Sequence, residues 1–413
     1  MITATVYSGR REAGLVMTSL LETVVSSNGR LQFAASSQAG LRDSVRNGDI
    51  RIEPPHNLKT LWETEVLRFP SRPSPYGSTV RLLEEIRQLL GRYVDASDEW
   101  LDIICLYILM TWVYDRFTAL PYLRFLGETS TGKTRFLQVC SAICYKATVA
   151  SGNITGAALF RTTHLVRGTM AVDEADFKNS AEWSDITKIL NNGYIVGTPV
   201  IRCNKLDFSP EAFHVFGPKI ISTRHRFEDE ATETRCLTLE TRERTTPLPS
   251  HIPLQLPTSF NNEALDLRNK LLQWRFDNFQ GVSAREENLR TISPRAGQIG
   301  ASLAAVAPND EWHERLVSFI ARSDVSRRED SPKSIVLQAL QVAVNGASTA
   351  GGRLTVGDVA SRAQELALQI GSEEMTPKRV GGILRSLGIA PGRAKHGYLI
   401  DLTAAGELCG VNG

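Results

Sequence analysis

GETSTGKT, residues 127–134, follows directly on the apolar run PYLRFL and precedes a stretch with helical spacing. Gly127, Glu128, Thr129, Ser130, Thr131, Gly132, Lys133 and Thr134 set two glycines around four variable positions, then a lysine and a hydroxyl residue. A strand that enters such a turn and leaves it as a helix aims backbone N–H groups and the positive helix end at one spot. That spot suits the phosphates of a nucleotide. Lys133 would neutralise β and γ phosphates, and Thr134 would hold Mg2+ through its hydroxyl.

A second acidic element lies about 40 residues on, in TMAVDEAD, where Asp173 and Glu174 end an apolar strand. Asp173 can organise the water shell of Mg2+, and Glu174 can orient and deprotonate an attacking water. Passing phosphate to a small molecule has less need of such a base, so the pair favours ATP hydrolysis. The plainer reading is an acidic strand end capping the next helix.

The chain of 413 residues is long enough for two or three domains, and its net charge of +2 neither requires nor excludes nucleic acid. The six cysteines form no CxxC pair and no metal-ligand spacing with histidine, which points to a reducing, cytoplasmic setting. Cys140 and Cys144 read as core filling. IICLYILMTWV at 103–113 is bracketed by charges and too short to span a membrane, and the N-terminus lacks a long apolar signal region.

Alternation of short apolar runs with helical stretches from 121 onward predicts an α/β fold with a parallel sheet flanked by helices. The expected division is residues 1–60 of unclear role, 61–120 helical and leading into the core, 121–250 the core, 251–325 helical, and 326–413 a last unit. The proline-rich stretch at 245–257 and the charged stretch RSDVSRREDSPK supply boundaries. Within the last unit, three helices and the strand-like GYLIDL predict a winged helix, with Lys378, Arg379 and Arg393, Lys395 placed for duplex phosphates. A solvated face on a small packing domain remains the alternative.

The succession GETSTGKT, AVDE and KIISTRHRFEDEATETR resembles the AAA+ class of P-loop NTPases, and within it the MCM-like and superfamily 3 helicase modules of mobile elements and phages. The resemblance spans about 95–245 and implies ATP and Mg2+ as cofactors, a helical lid after the core and a homo-oligomer, expected to be a hexamer. It implies Thr223, or Ser222 beside it, as the residue sensing the γ phosphate, although many members of the class carry Asn there. It implies Arg235 as the arginine reaching a neighbour's ATP, with Arg226 second; an intradomain salt bridge to Glu228, Asp229 or Glu233 is the alternative. Arg295 would open a lid helix and contact phosphate, or be a plain surface arginine.

Between the acidic pair and KIIST, the strands VIRC and AFHVF predict a hairpin with NKLDFSP at its tip. The resemblance would place it in a central pore, where Lys205, then Arg202, touch phosphates of single-stranded DNA. The reading that follows is an ATP-driven, ring-forming DNA helicase or translocase for replication of a mobile element or phage-like genome, with duplex DNA at the winged helix. The alternatives are an ATP-switched DNA-binding initiator without processive unwinding and an AAA+ protein remodeller.

Overall fold

The computed structural model describes residues 5–6, 20–47, 50–151, 154–175, 181–204, 207–227, 229–350, 353–369, 374–394 and 397–410. The chain divides into two compact units, Met1–Ile320 and Ala321–Gly413.

The first unit opens with β1 (Thr5–Val6), β2 (Leu21–Val25), β3 (Leu31–Ala35) and β4 (Gln38–Arg42), an antiparallel sheet in that order, followed by the ribbon β5 (Val45–Asn47) and β6 (Ile50–Ile52). Helices α1 (Lys59–Glu63), α2 (Thr79–Tyr93) and α3 (Asp98–Thr111) lead to the core. Ser78 caps α2 by accepting from the Arg81 amide at 3.2 Å, and the leucines and isoleucine of α2 recur on its buried face. The apolar run at 103–113 is α3 and its exit, buried throughout, and no helix among the described residues is long and apolar enough to cross a membrane.

From there the chain alternates β7 (Tyr122–Leu126), α4 (Lys133–Ser141), β8 (Thr148–Ala150), α5 (Gly156–Val166), β9 (Met170–Val172) and α6 (Ala181–Asn192). An antiparallel ribbon of β10 (Val200–Cys203) and β11 (Pro210–Phe213) precedes β12 (Lys219–Thr223), α7 (Glu230–Glu233) and β13 (Cys236–Glu240). The five remaining strands of this stretch form one parallel sheet in the order β13-β7-β12-β9-β8. β7 and β12 sit inside the sheet, which is why YLRFL and KIIST are buried at every position instead of alternating. Arg124, in the middle of β7, is tolerated there because the carboxylate of Glu233 accepts two of its N–H groups and Thr238 Oγ1 a third at 3.0 Å.

Helices α8 (Ser259–Asn278), α9 (Pro294–Ala304) and α10 (Asp310–Glu329) follow. The charged stretch expected as a boundary is therefore largely helical, because Asp324 pairs with Arg327 and Arg328 one turn on. Residues 1–60, unreadable as sequence, include a sheet that shares the main core: Leu20, Val24 and Ala34 pack in the same cluster as α2, α3 and α4. Glu22 of β2, wholly buried, accepts from Arg275 Nε at 2.8 Å, Lys146 Nζ at 2.8 Å and the Tyr145 hydroxyl at 2.7 Å. Arg275 in turn grips Asp115 through two N–H groups at 2.9 and 2.7 Å.

The second unit holds α11 (Pro332–Ala350), α12 (Val356–Gln369), α13 (Pro377–Ser386), the ribbon β14 (Gly392–Ala394) and β15 (Gly397–Leu399), and α14 (Leu402–Cys409) around a core of its own. The three helices fall where the sequence puts them, whereas the strand-like GYLIDL is strand only over Gly397–Leu399 and its Leu402 opens α14. Helix α14 is an addition to the elements expected from sequence. Its N-cap is Asp401, which accepts from the Thr403 amide at 2.9 Å.

Candidate functional site

Parallel strands collect their C-terminal ends on one edge of the sheet, and that edge carries the glycine-rich loop, the acidic pair and the end of KIIST. The loop between β7 and α4 is closed by its own contacts. Gly127 N donates to Thr223 O at 3.1 Å, Thr131 Oγ1 donates to Glu128 O at 2.8 Å and meets Thr241 Oγ1 at 2.7 Å. A Cβ on Gly127 would overlap the Thr241 carbonyl, so close approach of the 241 backbone requires glycine there. Gly132, the residue before α4, has φ +92 and Ser130 has φ +67, the left-handed turns that bring successive amides onto one concave side. Lys133 is buried at the base of the loop with Nζ donating to Glu128 O at 2.5 Å, while Glu128, Thr129, Ser130 and Thr134 are exposed.

Opposite the loop, β12 stands between β7 and β9, so Ser222 and Thr223 lie between the loop and the acidic pair. Ser222 donates its hydroxyl to Asp173 Oδ1 and accepts the Glu174 amide at 2.9 Å. Glu174 itself is exposed with φ +52, a costly conformation for a side chain with a Cβ, and Asp173 Oδ1 also accepts its amide at 3.1 Å. Thr223, the residue favoured from the sequence, is buried with its hydroxyl lacking a partner and its carbonyl spent on Gly127. The hydroxyl that faces the acidic pair is that of Ser222.

The donor set fits a magnesium nucleotide. The left-handed turns at 130 and 132, an exposed Thr134 and the Ser222 hydroxyl lie on the edge where Asp173 offers a half-buried carboxylate already oriented through one oxygen.

The three arginines singled out by the sequence fall in two places. Arg226 is tied within its own unit to Glu240 at 2.7 Å and Glu233 at 3.5 Å. Arg235 precedes β13 at the opposite, strand-start edge of the sheet and is 6% exposed. It donates to Asn191 Oδ1 and stacks its guanidinium 4.2 Å from the ring of Tyr194, leaving Nε without a partner. Arg295, read from the sequence as a lid arginine reaching phosphate or a plain surface arginine, is held at that same edge. Its Nη1 donates to the Tyr194 hydroxyl at 2.8 Å and its guanidinium lies 4.8 Å over the same ring. Burial pushes the Tyr194 phenol up, but the hydrogen bonds and charges of Arg295 and Arg235 outweigh it and hold its pKa below the ordinary tyrosine value. No local pattern marked Tyr194, because its two partners come from distant segments.

Lys205, Lys395 and Glu228 lie outside the described residues. The hairpin expected from VIRC and AFHVF corresponds to the ribbon β10–β11, whose second strand is Pro210–Phe213 and so begins inside the expected tip and ends within AFHVF. Its inner face packs on α5, with Phe213 and Phe160 at 4.6 Å between ring centroids and Arg202 half-buried, its guanidinium 5.6 Å over Phe160. His214 N donates to His164 Nδ1 at 3.0 Å on the same flank, and burial with Arg167 nearby lowers the His164 pKa. The outward positions Ile201, Cys203, Pro210 and Ala212 are exposed, and Phe208 stands at the turn, 79% exposed. The root is held by Lys219, whose buried Nζ donates to Gly193 O at 3.1 Å and to Val215 O and Gly217 O at 3.0 Å.

In the second unit Lys378 and Arg379 occupy the first turn of α13 after the Thr376 cap, with Lys378 exposed. Arg393, exposed on β14, lies directly across from the exposed Tyr398 of β15.

No family model matches the chain, and no curated protein matches it. Among solved structures, the active helicase SCCmec type IV Cch is similar at 12% identity and a TM-score of 0.40, over 82% of this chain and 72% of that one. The A form apo structure of the NrS-1 C-terminal region (CTR) is similar at 11% identity and a TM-score of 0.37, over 92% and 95%. Likenesses of this size carry no argument about fold or activity.

Proposed function

We propose that the chain is an ATPase that works as a ring-forming DNA helicase or translocase, with an AAA+ core, a helical lid and a C-terminal winged helix. The observation that carries the reading is the convergence of the 127–134 loop, Ser222 and the Asp173–Glu174 pair on one edge of the sheet.

On this reading the amides of Gly127–Gly132 and Lys133 bind the triphosphate, Lys133 exchanging the Glu128 carbonyl for phosphate oxygens. Thr134 and Asp173 would hold Mg2+, which supplies charge neutralisation on the phosphates. Glu174 takes a proton from the attacking water as its oxygen bonds to the γ phosphorus and the bond to the bridging oxygen breaks. Ser222 holds the backbone of Glu174 in place for that transfer. The Arg235–Tyr194–Arg295 cluster, with two cations and a buried Nε lacking a partner, is suited to a neighbouring copy's phosphates in an assembled ring, a hexamer on the resemblance. Arg226 keeps a structural ion pair in the free chain. The ribbon, with Arg202 on its flank and Lys205 in the loop, would follow single-stranded DNA; Lys378, Arg379, Arg393 and Lys395 would hold duplex phosphates without reading sequence.

The test is ATP hydrolysis by the purified chain with and without single-stranded DNA, alongside Glu174→Gln and a mass measurement in ATP. Several-fold stimulation by DNA in an assembled ring, lost in Glu174→Gln, is expected. Hydrolysis indifferent to DNA would remove the translocase reading and leave a remodeller; DNA binding that needs ATP but not hydrolysis, without strand separation, would leave an initiator.

A further inference from the structure

The geometry points to Phe208 as a base-stacking contact, so that the β10–β11 ribbon engages single-stranded nucleic acid through its bases as well as its phosphates. This rests on the nucleic-acid reading above and adds to it a residue and a chemistry.

Three observations support it. Phe208 is an aromatic side chain 79% exposed at the end of a two-stranded ribbon. Its backbone has φ +57, a left-handed conformation that is costly for a bulky residue. The turn holds it there: Phe208 N donates to Asn204 O at 3.0 Å, Asn204 N to Ser209 O at 2.8 Å, and Asp207 Oδ1 accepts both the amide and the hydroxyl of Ser209 at 3.1 and 2.7 Å. At the other end, Lys219 binds the ribbon root to the sheet through three carbonyls, and Phe213 is buried against α5. The ribbon, fixed at its root, thus presents the Phe208 ring at its turn.

The surroundings choose the partner. An aliphatic or peptide side chain gains little from a ring this exposed, because little of either surface leaves water. A nucleobase needs no walls, since two flat faces cover each other, and the stacking is indifferent to which base it is. The exposed outward positions of the ribbon, Ile201, Cys203, Pro210 and Ala212, carry no charge to hold phosphate, so contact on that side falls to bases.

The experiment compares binding of the intact chain, with a non-hydrolysable ATP analogue, to fluorescein-labelled oligothymidylate and to an abasic strand of equal length and phosphate number. The chain should prefer the base-bearing strand by about tenfold or more, Phe208→Ala should lose that preference, and Phe208→Trp should keep it. DNA-independent hydrolysis and thermal midpoint should be unchanged in Phe208→Ala, since the side chain is exposed and remote from the loop. Equal binding of both strands by the unaltered chain, or a preference surviving in Phe208→Ala, overturns the inference alone. Binding of neither strand overturns the nucleic-acid reading and this inference with it. If Phe208→Ala lowers the assembled mass, or abolishes stimulation of hydrolysis by unfolded casein, while strand preference persists, Phe208 serves a contact between copies or a polypeptide and the inference is wrong.

Discussion

The carbonyl oxygen of Gly193 lies 3.1 Å from Nζ of Lys219, and a Cβ at Gly193 would overlap that same nitrogen. The residue that follows α6 therefore has to be glycine for the ammonium to enter its three-carbonyl seat. Gly193→Ala is expected to destabilise the first unit by about 1–3 kcal/mol, the range for overpacking a filled interior. Urea unfolding reads this directly, and an unchanged midpoint would contradict the close approach of Lys219 and of the Val215 and Ile189 carbonyls to Gly193.

Lys219 also gives a pH dependence. Burial lowers its pKa from 10.5 to about 7. Below pH 7 the lysine is charged in folded and unfolded chains alike; between about 7 and 10.5 only the unfolded chain holds the proton, so unfolding free energy rises with pH across that window. The stability difference between the unaltered chain and Lys219→Met should change in favour of the unaltered chain by at most about 1.4 kcal/mol per pH unit there. A flat difference would show that the three carbonyls keep the ammonium charged. Loss of the proton also leaves two N–H donors for three carbonyls, so protection from exchange of the Gly217 amide, which donates to the Gly193 carbonyl at 3.2 Å, should fall over the same range.

Strain at Glu174 separates stability from activity. Glycine relieves its φ of +52, so Glu174→Gly should gain about 1 kcal/mol while hydrolysis falls roughly a hundredfold or more. Glu174→Gln keeps the strain and should lose hydrolysis at unchanged stability. Thermal midpoints and turnover on the same preparations decide it, and a stabilised Gly variant with intact turnover would remove Glu174 from the chemistry.

The two loop glycines should differ. Gly132 has open space where a Cβ would stand, so Gly132→Ala costs only its left-handed backbone, about 1–2 kcal/mol. Gly127→Ala meets the Thr241 backbone and should cost more, with partial loss of folded protein on expression. Equal midpoints for the two variants would contradict the packing described for 241.

Removing Glu22 leaves Arg275 and Lys146 without their shared buried carboxylate, and Glu22→Ala should cost about 3–5 kcal/mol. Glu63→Ala breaks an exposed ion pair with Lys59 at 3.6 Å and should stay within about 0.5 kcal/mol. Guanidinium unfolding of both variants makes the comparison.

Along the chain alone, the β7–loop–α4 unit and the acidic end of β9 were legible, because strand, glycine turn and helix start are local and each residue type answers a local need. The choice between Ser222 and Thr223 was not. Successive strand residues point to opposite faces, and which face meets Asp173 depends on β12 being inserted between β7 and β9.

Distance along the chain explains the rest. Arg275 reaches Glu22 across 253 positions and Arg295 reaches Tyr194 across 101, and neither pair leaves a spacing that local periodicity could detect. The sequence by itself determined the alternation of strands and helices and the residues able to meet phosphate, since both follow from short-range backbone geometry and side-chain chemistry. Only the tertiary structure decided which hydroxyl faces the acidic pair, which arginines share a ring and which aromatic is left in solvent, because those depend on strand order and packing between segments far apart in the chain.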